Sequence, residues 1–224
     1  MSENNFKKWN LEELRQYANK LNRKIPEILF NTIRWKLFQV QYHADEAKEI
    51  IKKIFSKSHI DMSDTQIQED WNKATAEFVA FGHAFDTIND ILLQIVNCAY
   101  FENPINKNSV IFENVIKNIK QKNSNAAIIK AADIFFNDSH ISYIRSFINT
   151  EKHQHLIDLE FHSEYNAEFG QGKIGFRIKR FNDGNQELSE KWLDEVINEY
   201  PDALIKATCA VGNSINEDLA NELR

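Results

Sequence analysis

Apolar residues recur at alternating steps of three and four positions along two long stretches of the chain. The first stretch runs from Phe30 to Ile54 and the second from Trp71 to Ala99. Such spacing is typical of helices that pack lengthwise on a neighbour. Ser63 and Gln66, near the end of the polar segment between them, fit a capping box for the second helix. We therefore expect two long helices that lie antiparallel.

Shorter periodic stretches predict further helices. Asn10 followed by Glu13 fits a helix N-cap, so we expect a short helix just after Asn10. Two more short helices are expected, over residues 110–119 and 128–136. The apolar run from Leu193 to Ile215 predicts C-terminal helices, which we expect Pro201 to divide or kink.

One stretch combines an apolar flank with a concentration of polar chemistry. The residues from Asp138 to Leu159 predict a single helix of about six turns, with isoleucines along one flank. Beside that flank lies a polar stripe at steps of i, i+4, i+7 and i+8, formed by Arg145, Asn149, Lys152 and His153. At about 100° per residue, these four positions fall within a sector of about 100°. Two cations, an amide and an imidazole are therefore expected along one side of this helix.

After Leu159 the apolar period changes from that of a helix to that of a strand. Apolar residues alternate with polar ones on both sides of residues 166–172, which are rich in turn formers. This pattern predicts a small β-hairpin over residues 159–182. Asp183 and Gly184 then predict a turn toward the last helices.

The composition favours a mainly α protein. The chain of 224 residues has three prolines and six glycines, and four of the glycines fall in one short window, Gly170, Gly172, Gly175 and Gly184. Helix breakers are therefore scarce elsewhere. We expect an antiparallel helical bundle with a small β-hairpin inserted before the C-terminal helices. The expected single domain, 1–224, comprises an N-terminal extension (1–25), core helices (26–159), the hairpin (159–182) and C-terminal helices (188–224).

Charge and cysteine content limit the class of protein. The formal net charge of −6 argues against a protein that coats nucleic acid by bulk electrostatics, although a local basic cleft is compatible with it. Cys98 and Cys209 lack a CxxC partner and are expected to be reduced thiols. The sequence contains no apolar run long enough for a membrane span. We expect a cytoplasmic protein with no membrane association.

Histidines raise the question of a metal site. His83, Asp86 and Asp90 are spaced for one face of the second long helix, which is more often a solvated face than a metal site. A site from His43, His83 and His153 is geometrically possible, but no Glu-x-x-His motif of di-metal bundles occurs. We expect no metal and no cofactor, and we keep a metal-dependent four-helix-bundle enzyme as a weaker alternative.

The polar stripe has the side chains that metal-independent RNA cleavage needs. Histidine suits proton transfer near neutral pH, and arginine suits bidentate contact with phosphate. Asn149 could orient an imidazole or a phosphate oxygen. The plain alternative is a polar stripe that faces water, with Arg145 paired to an acid such as Glu151 of a neighbour.

The arrangement of elements resembles the HEPN superfamily (higher eukaryotes and prokaryotes nucleotide-binding). Two long helices are followed by a helix that carries Arg145 and then Asn149-Thr150-Glu151-Lys152-His153, an Asn-Thr-x-Lys-His element that precedes a hairpin. The likeness in architecture extends over about residues 30–219.

The resemblance implies a homodimer in which the motif helices of two copies meet at a shared cleft. It also implies a metal-independent endoribonuclease of a toxin–antitoxin or phage-defence system, with an antitoxin or other defence protein as partner. His153 and Arg145 would be catalytic, and Lys152, Asn149 and His155 would bind the RNA.

The resemblance also allows a second function, which is the alternative to cleavage. The family's catalytic signature is Arg-x(4–6)-His, and seven residues separate Arg145 from His153. Some branches of the superfamily are non-catalytic modules for dimerisation or for binding RNA, nucleotides or proteins. The acidic net charge favours such a module, so cleavage and binding remain open at this point.

Overall fold

The computed structural model describes residues 9–56, 64–102, 104–105, 111–153, 157–166 and 171–224. These residues form seven helices and five strands. The helices are α1 (Leu11–Lys20), α2 (Glu27–Ser56), α3 (Asp64–Tyr100), α4 (Phe112–Lys122), α5 (Ala127–Asn137), α6 (Ser139–His153) and α7 (Leu193–Glu222). The strands are β1 (Leu159–Asn166), β2 (Gln171–Ile178), β3 (Phe181–Asp183), β4 (Gln186–Leu188) and β5 (Lys191–Trp192). The expectation of a mainly α chain with a small antiparallel sheet before its last helix is confirmed.

The chain forms two compact units, each assembled from segments that are distant in sequence. Unit 1 comprises Met1–Leu37, Thr87–Ile141 and Ala203–Arg224, and unit 2 comprises Phe38–Asp86 and Ser142–Asp202. The single domain expected for the whole chain stays a prediction.

In unit 2, α2 and α3 pack antiparallel, as the apolar periodicity predicts. His43 Nδ1 lies 2.7 Å from Glu77 Oε2, and Lys53 Nζ donates to Asp70 Oδ2 at 2.6 Å. The later residue of α2 thus contacts the earlier residue of α3, which shows that the two helices run antiparallel. The predicted apolar positions are buried here: Val40, Ala44, Ala47, Ile51 and Ile54 on α2, and Ala74, Phe78, Phe81 and Phe85 on α3. Ser63 of the expected capping box lies outside the described residues.

The predicted hairpin in unit 2 is present and belongs to a larger sheet. β1 pairs antiparallel with β2 from Leu159 opposite Ile178 to Asn166 opposite Gln171, and β5 pairs with the other edge of β2. The Trp192 ring covers Gly175, where a β-carbon would lie 3.3 Å from ring atoms.

A second hairpin follows, in which β3 pairs antiparallel with β4. Gly184 has a φ of +60°, which a residue without a β-carbon adopts most readily, and it makes the turn that Asp183-Gly184 predicts.

Unit 1 contains polar contacts that the apolar pattern did not indicate. The carboxylate of Asp218 on α7 accepts hydrogen bonds from the backbone N–H groups of Ala127 (2.7 Å) and Ile128 (3.0 Å) at the start of α5. It also accepts one from the Tyr100 hydroxyl at 2.6 Å. Ala126 at the N-cap position has no side-chain acceptor, so the Asp218 side chain caps the helix in its place. Burial, followed by this carboxylate, raises the pKa of Tyr100 well above its usual range.

At the start of unit 1, Asn10 caps α1 as predicted. Its side-chain oxygen accepts a hydrogen bond from Glu13 N at 3.1 Å. The neighbouring Trp9 is buried against Gly212 in the middle of α7, where a β-carbon would come within 2.0 Å of the indole. Gly212 therefore allows an aromatic ring to rest directly on a helix backbone.

Three predicted element boundaries are wrong. The helix predicted over Asp138 to Leu159 is shorter, because α6 ends at His153 and β1 begins at Leu159. The C-terminal run is not divided at Pro201, which lies inside the continuous helix α7. Tyr200 and Leu204 are buried on either side of the proline, and this burial offsets the one backbone hydrogen bond that a proline cannot donate. Helices were also expected from residue 188, where β4 ends and β5 follows instead.

Candidate functional site

Helix α6 presents the predicted polar stripe, and a side-chain cap starts it. Asp138 Oδ1 accepts hydrogen bonds from His140 N at 2.8 Å and from Ile141 N at 3.1 Å. This cap satisfies backbone donors that have no partner within the helix. The apolar flank is buried as predicted, with Ile141, Ile144, Phe147 and Ile148 all almost inaccessible to solvent.

Tyr143 is also buried on this flank. Its ring makes an edge contact with Phe181 of β3, at 5.5 Å between ring centroids, and no residue in the described part of the chain hydrogen-bonds its hydroxyl. Burial raises the pKa of this phenol, so that it stays protonated at neutral pH. Tyr143 therefore contributes packing to the helix and no ionisable group to the site.

Helix α3 approaches α6 closely in unit 2 because Gly82 has no side chain. A β-carbon on Gly82 would lie 2.5 Å from Ile148 Cδ1 and 2.8 Å from Ile148 Cγ1. One residue further along α3, His83 Nε2 lies 3.2 Å from Glu151 Oε2. The missing β-carbon thus allows polar side chains of the two helices to meet.

All four residues of the polar stripe are exposed, as a binding surface requires. Three residues of α6 in or beside the stripe also contact neighbouring elements. Lys152 Nζ donates to Asp86 Oδ2 of α3 at 2.5 Å, and Asn149 Nδ2 donates to Asp183 Oδ1 at 2.7 Å. The buried Thr150 hydroxyl donates to the Asn182 carbonyl at 3.1 Å. Helix α6 is therefore bound on one side to α3 and on the other to the β3–β4 hairpin.

Arg145 and His153 lie at opposite ends of the stripe. A step of eight positions along a helix corresponds to about 12 Å along its axis and to a rotation of about 80°. One phosphate group is much smaller than this distance. A single copy of the stripe is therefore better suited to contact successive phosphates of an RNA strand than to surround one phosphate.

Three acidic residues near the stripe were not predicted as part of the site. They are Asp86, Asp183 and Glu151, and the last of these lies beside His83. The sequence places Asp86 one turn after His83 on α3, which signals a shared helix face. It carries no signal that this face meets α6. His155, predicted to bind RNA, lies outside the described residues.

The alternatives with a metal site have no geometric support in the described part of the chain. No group of three or more His, Cys, Asp or Glu side chains there could hold a metal ion. His43 is paired with Glu77, and His83 is paired with Glu151. Burial raises the pKa of the Cys98 thiol, which does not favour a reactive thiolate.

The arrangement brings exposed donors for phosphate together with an imidazole, and it places carboxylates beside two of those donors.

None of the helices in the described ranges is long and apolar enough to cross a membrane. Comparisons with protein-family models, curated proteins and solved structures found no match for this chain.

Proposed function

We propose that the protein is a HEPN-like homodimer that cleaves RNA without a metal, as part of a prokaryotic toxin–antitoxin or phage-defence system. The observation that carries the proposal is the joint exposure of Arg145, Asn149 and His153 on one face of a well-anchored helix. Arginine, amide and imidazole together can bind a phosphate, orient it and transfer protons.

The proposed reaction needs two proton transfers at one phosphodiester. A neutral His153 imidazole takes the proton of the ribose 2′-OH, and the 2′-oxygen forms a bond to phosphorus. The bond from phosphorus to the 5′-oxygen breaks, and a protonated His153 of a second copy gives its proton to that oxygen. The products are a 2′,3′-cyclic phosphate and a 5′-hydroxyl, and Arg145 stabilises the extra charge on the phosphorane.

The proposed mechanism requires two copies of the chain. Within one copy, about 12 Å of helix axis separates Arg145 from His153, which is a long distance for two side chains that act on one phosphorus. Two stripes that face each other in a symmetric dimer could place Arg145 of one copy near His153 of the other. The dimer is therefore part of the proposal for cleavage.

A second candidate function is a non-catalytic module that binds RNA, a nucleotide or a partner protein. The contacts of Lys152 with Asp86 and of Asn149 with Asp183 favour it. These contacts fix two residues of the stripe beside negative charge, which weakens the positive potential that a phosphorane needs. Binding along a strand needs only the exposed face of one copy.

The test compares the wild type with H153A, R145A and H140A on 5′-labelled RNA in the presence of EDTA. His140 lies on α6 but off the polar stripe, so H140A is the matched control. Cleavage predicts that H153A loses activity at least about 100-fold and that H140A keeps it. The product should carry a 2′,3′-cyclic phosphate.

Fluorescence anisotropy with the same RNA separates the two functions. Binding that R145A weakens about tenfold, without turnover by any variant, would support the module and reject the nuclease. Folded wild-type protein that neither cuts nor binds RNA, nucleotides or a co-purifying protein would reject both.

A further inference from the structure

Strand β1 forms an end of the β1–β2–β5 sheet in unit 2. Among the residues that the structure describes, no strand pairs with its outer edge. Its pairing with β2 is regular over its whole length, without a bulge. The strand, Leu159–Asn166, contains neither lysine nor proline. Such a long edge lacks the lysine, proline and bulge that commonly prevent pairing with another strand.

One face of this edge is apolar and exposed. Phe161 keeps 55% of its side-chain exposure and Ile174 keeps 53%. They lie on the same face, because Phe161 is opposite Phe176 and Ile174 is opposite Ser163 in the register of β1 with β2. On the inner part of that face, the Trp71 ring stacks on Phe176 at 3.7 Å between centroids. The aromatic packing therefore extends to an exposed rim.

The other face of β1 carries polar side chains in a self-complementary order. Two strands that pair antiparallel about a two-fold axis place residue i opposite residue 2k − i, where k is the residue on the axis. With Ser163 on the axis, His162 of each copy lies opposite Glu164 of the other. Arg177 contacts both side chains within one copy, at 3.3 Å for His162 and 3.4 Å for Glu164.

Neighbouring registers are less favourable. With His162 on the axis, Glu160 would oppose Glu164, and with Glu164 on the axis, that carboxylate would oppose its own copy. Directly opposed like charges destabilise a strand pair. With Phe161 on the axis, only residues 159–163 remain paired within the strand, against 160–166 for the Ser163 register. Avoidance of opposed carboxylates, together with strand length, thus selects one register.

We propose that a second copy of this chain docks edge to edge on β1, antiparallel, with Ser163 on the two-fold axis. The two three-stranded sheets then form one continuous sheet, on which Phe161 and Ile174 of both copies share a face. This interface depends on β1 and not on the polar stripe, so it stands or falls independently of the proposed RNA chemistry.

Disulfide cross-linking tests the register. In a C98A/C209A background, S163C places two thiols opposite each other at the axis. I174C is the matched control, because Ile174 is opposite Ser163 but one strand further from the axis. Strands lie about 4.8 Å apart, so two I174C positions would be about 14 Å apart across the interface. We expect S163C to form a covalent dimer under mild oxidation and I174C to remain uncross-linked.

Light scattering on the otherwise unchanged chain gives a second readout that needs no cysteine. S163K opposes two ammonium groups at the axis and should halve the mass of the assembly with an unchanged circular dichroism spectrum, whether or not the copies also associate through the polar stripe. I174K, also an exposed position, should keep the wild-type mass. A monomeric wild type, a wild-type mass that S163K leaves unchanged, or equal cross-linking of S163C and I174C would each overturn the proposal.

Discussion

Lys152 on α6 donates a hydrogen bond to Asp86 on α3, at 2.5 Å between Nζ and Oδ2. Both side chains remain partly exposed, so the pair lies where a ligand can reach it. The same lysine is a predicted phosphate ligand. A phosphate that binds Lys152 therefore competes with a carboxylate that is already in place.

This competition predicts that D86N binds RNA more tightly than the wild type. Removal of the charge frees the ammonium group for phosphate, and we expect the dissociation constant to fall about three- to tenfold. The free energy of unfolding should change by less than about 1 kcal/mol, since partly exposed ion pairs contribute little. Anisotropy titrations and urea denaturation measure the two quantities.

D45N is the control for D86N, because Asp45 is exposed on α2 in the same unit and accepts a hydrogen bond from the neutral Gln41 amide. It removes the same charge from the protein without touching the polar stripe. If D45N lowers the dissociation constant for RNA as much as D86N does, net charge controls binding and release of Lys152 does not.

A second prediction concerns the contact between Gly82 and Ile148. Alanine at position 82 would normally stabilise a helix by about 1 kcal/mol. Here its β-carbon would lie 2.5 Å from Ile148 Cδ1, so we expect G82A to lower the free energy of unfolding by about 1–3 kcal/mol. Urea denaturation checks the sign.

A double-mutant cycle with I148A tests the cause. I148A alone should lower the free energy of unfolding, because a buried side chain is lost. In the I148A background, G82A should change the free energy of unfolding only slightly, because the clash is absent. Additive effects of the two substitutions would contradict the proposed clash.

A third prediction concerns Asp218, which caps α5 from a distant part of the chain. The amide of D218N can accept through one atom only, so it loses at least one of the hydrogen bonds from Ala127, Ile128 and Tyr100. We expect a loss of about 1–3 kcal/mol in the free energy of unfolding. E217Q, a change of the same kind at the adjacent exposed position, should have little effect in the same denaturation assay.

The pH dependence of stability supplies a fourth prediction. A hydrogen bond from Lys53 holds the pKa of the buried Asp70 carboxyl below its ordinary value of 3.8. The folded pKa is thus lower than the unfolded one. This stabilisation is fully present above the unfolded value and is lost as pH falls through the folded value. Denaturation curves between pH 7 and acid should therefore show a smaller acid loss for D70N than for the wild type. E49Q, at an exposed carboxyl, should keep the wild-type slope.

Much of the helical architecture follows from local patterns alone. The buried faces of α2 and α3 coincide with the predicted three–four repeats, and the buried flank of α6 coincides with its predicted isoleucines. Such periods report which side of an element avoids water, whatever that side packs against. Asn10 caps α1 for the same local reason, since donor and acceptor are three residues apart.

The ends of elements were predicted less well. The apolar pattern continues from α6 toward Leu159 without a break, but the chain turns into a strand there. Pro201 illustrates the opposite error, because burial on both sides keeps α7 continuous through a residue that usually ends a helix. In both cases tertiary packing outweighed a local preference.

The composition of the polar stripe and its position on one side of α6 follow from residue types and helix geometry, which act within a few residues. The partners of the stripe do not. Asp86 reaches Lys152, and Asp183 reaches Asn149, only because Gly82 lets α3 approach α6 and the β3–β4 hairpin folds back against it. These contacts join residues that are far apart in the chain. No local pattern encodes the distances between packed elements, so only the tertiary structure reveals that carboxylates hold two of the stripe's phosphate-binding candidates.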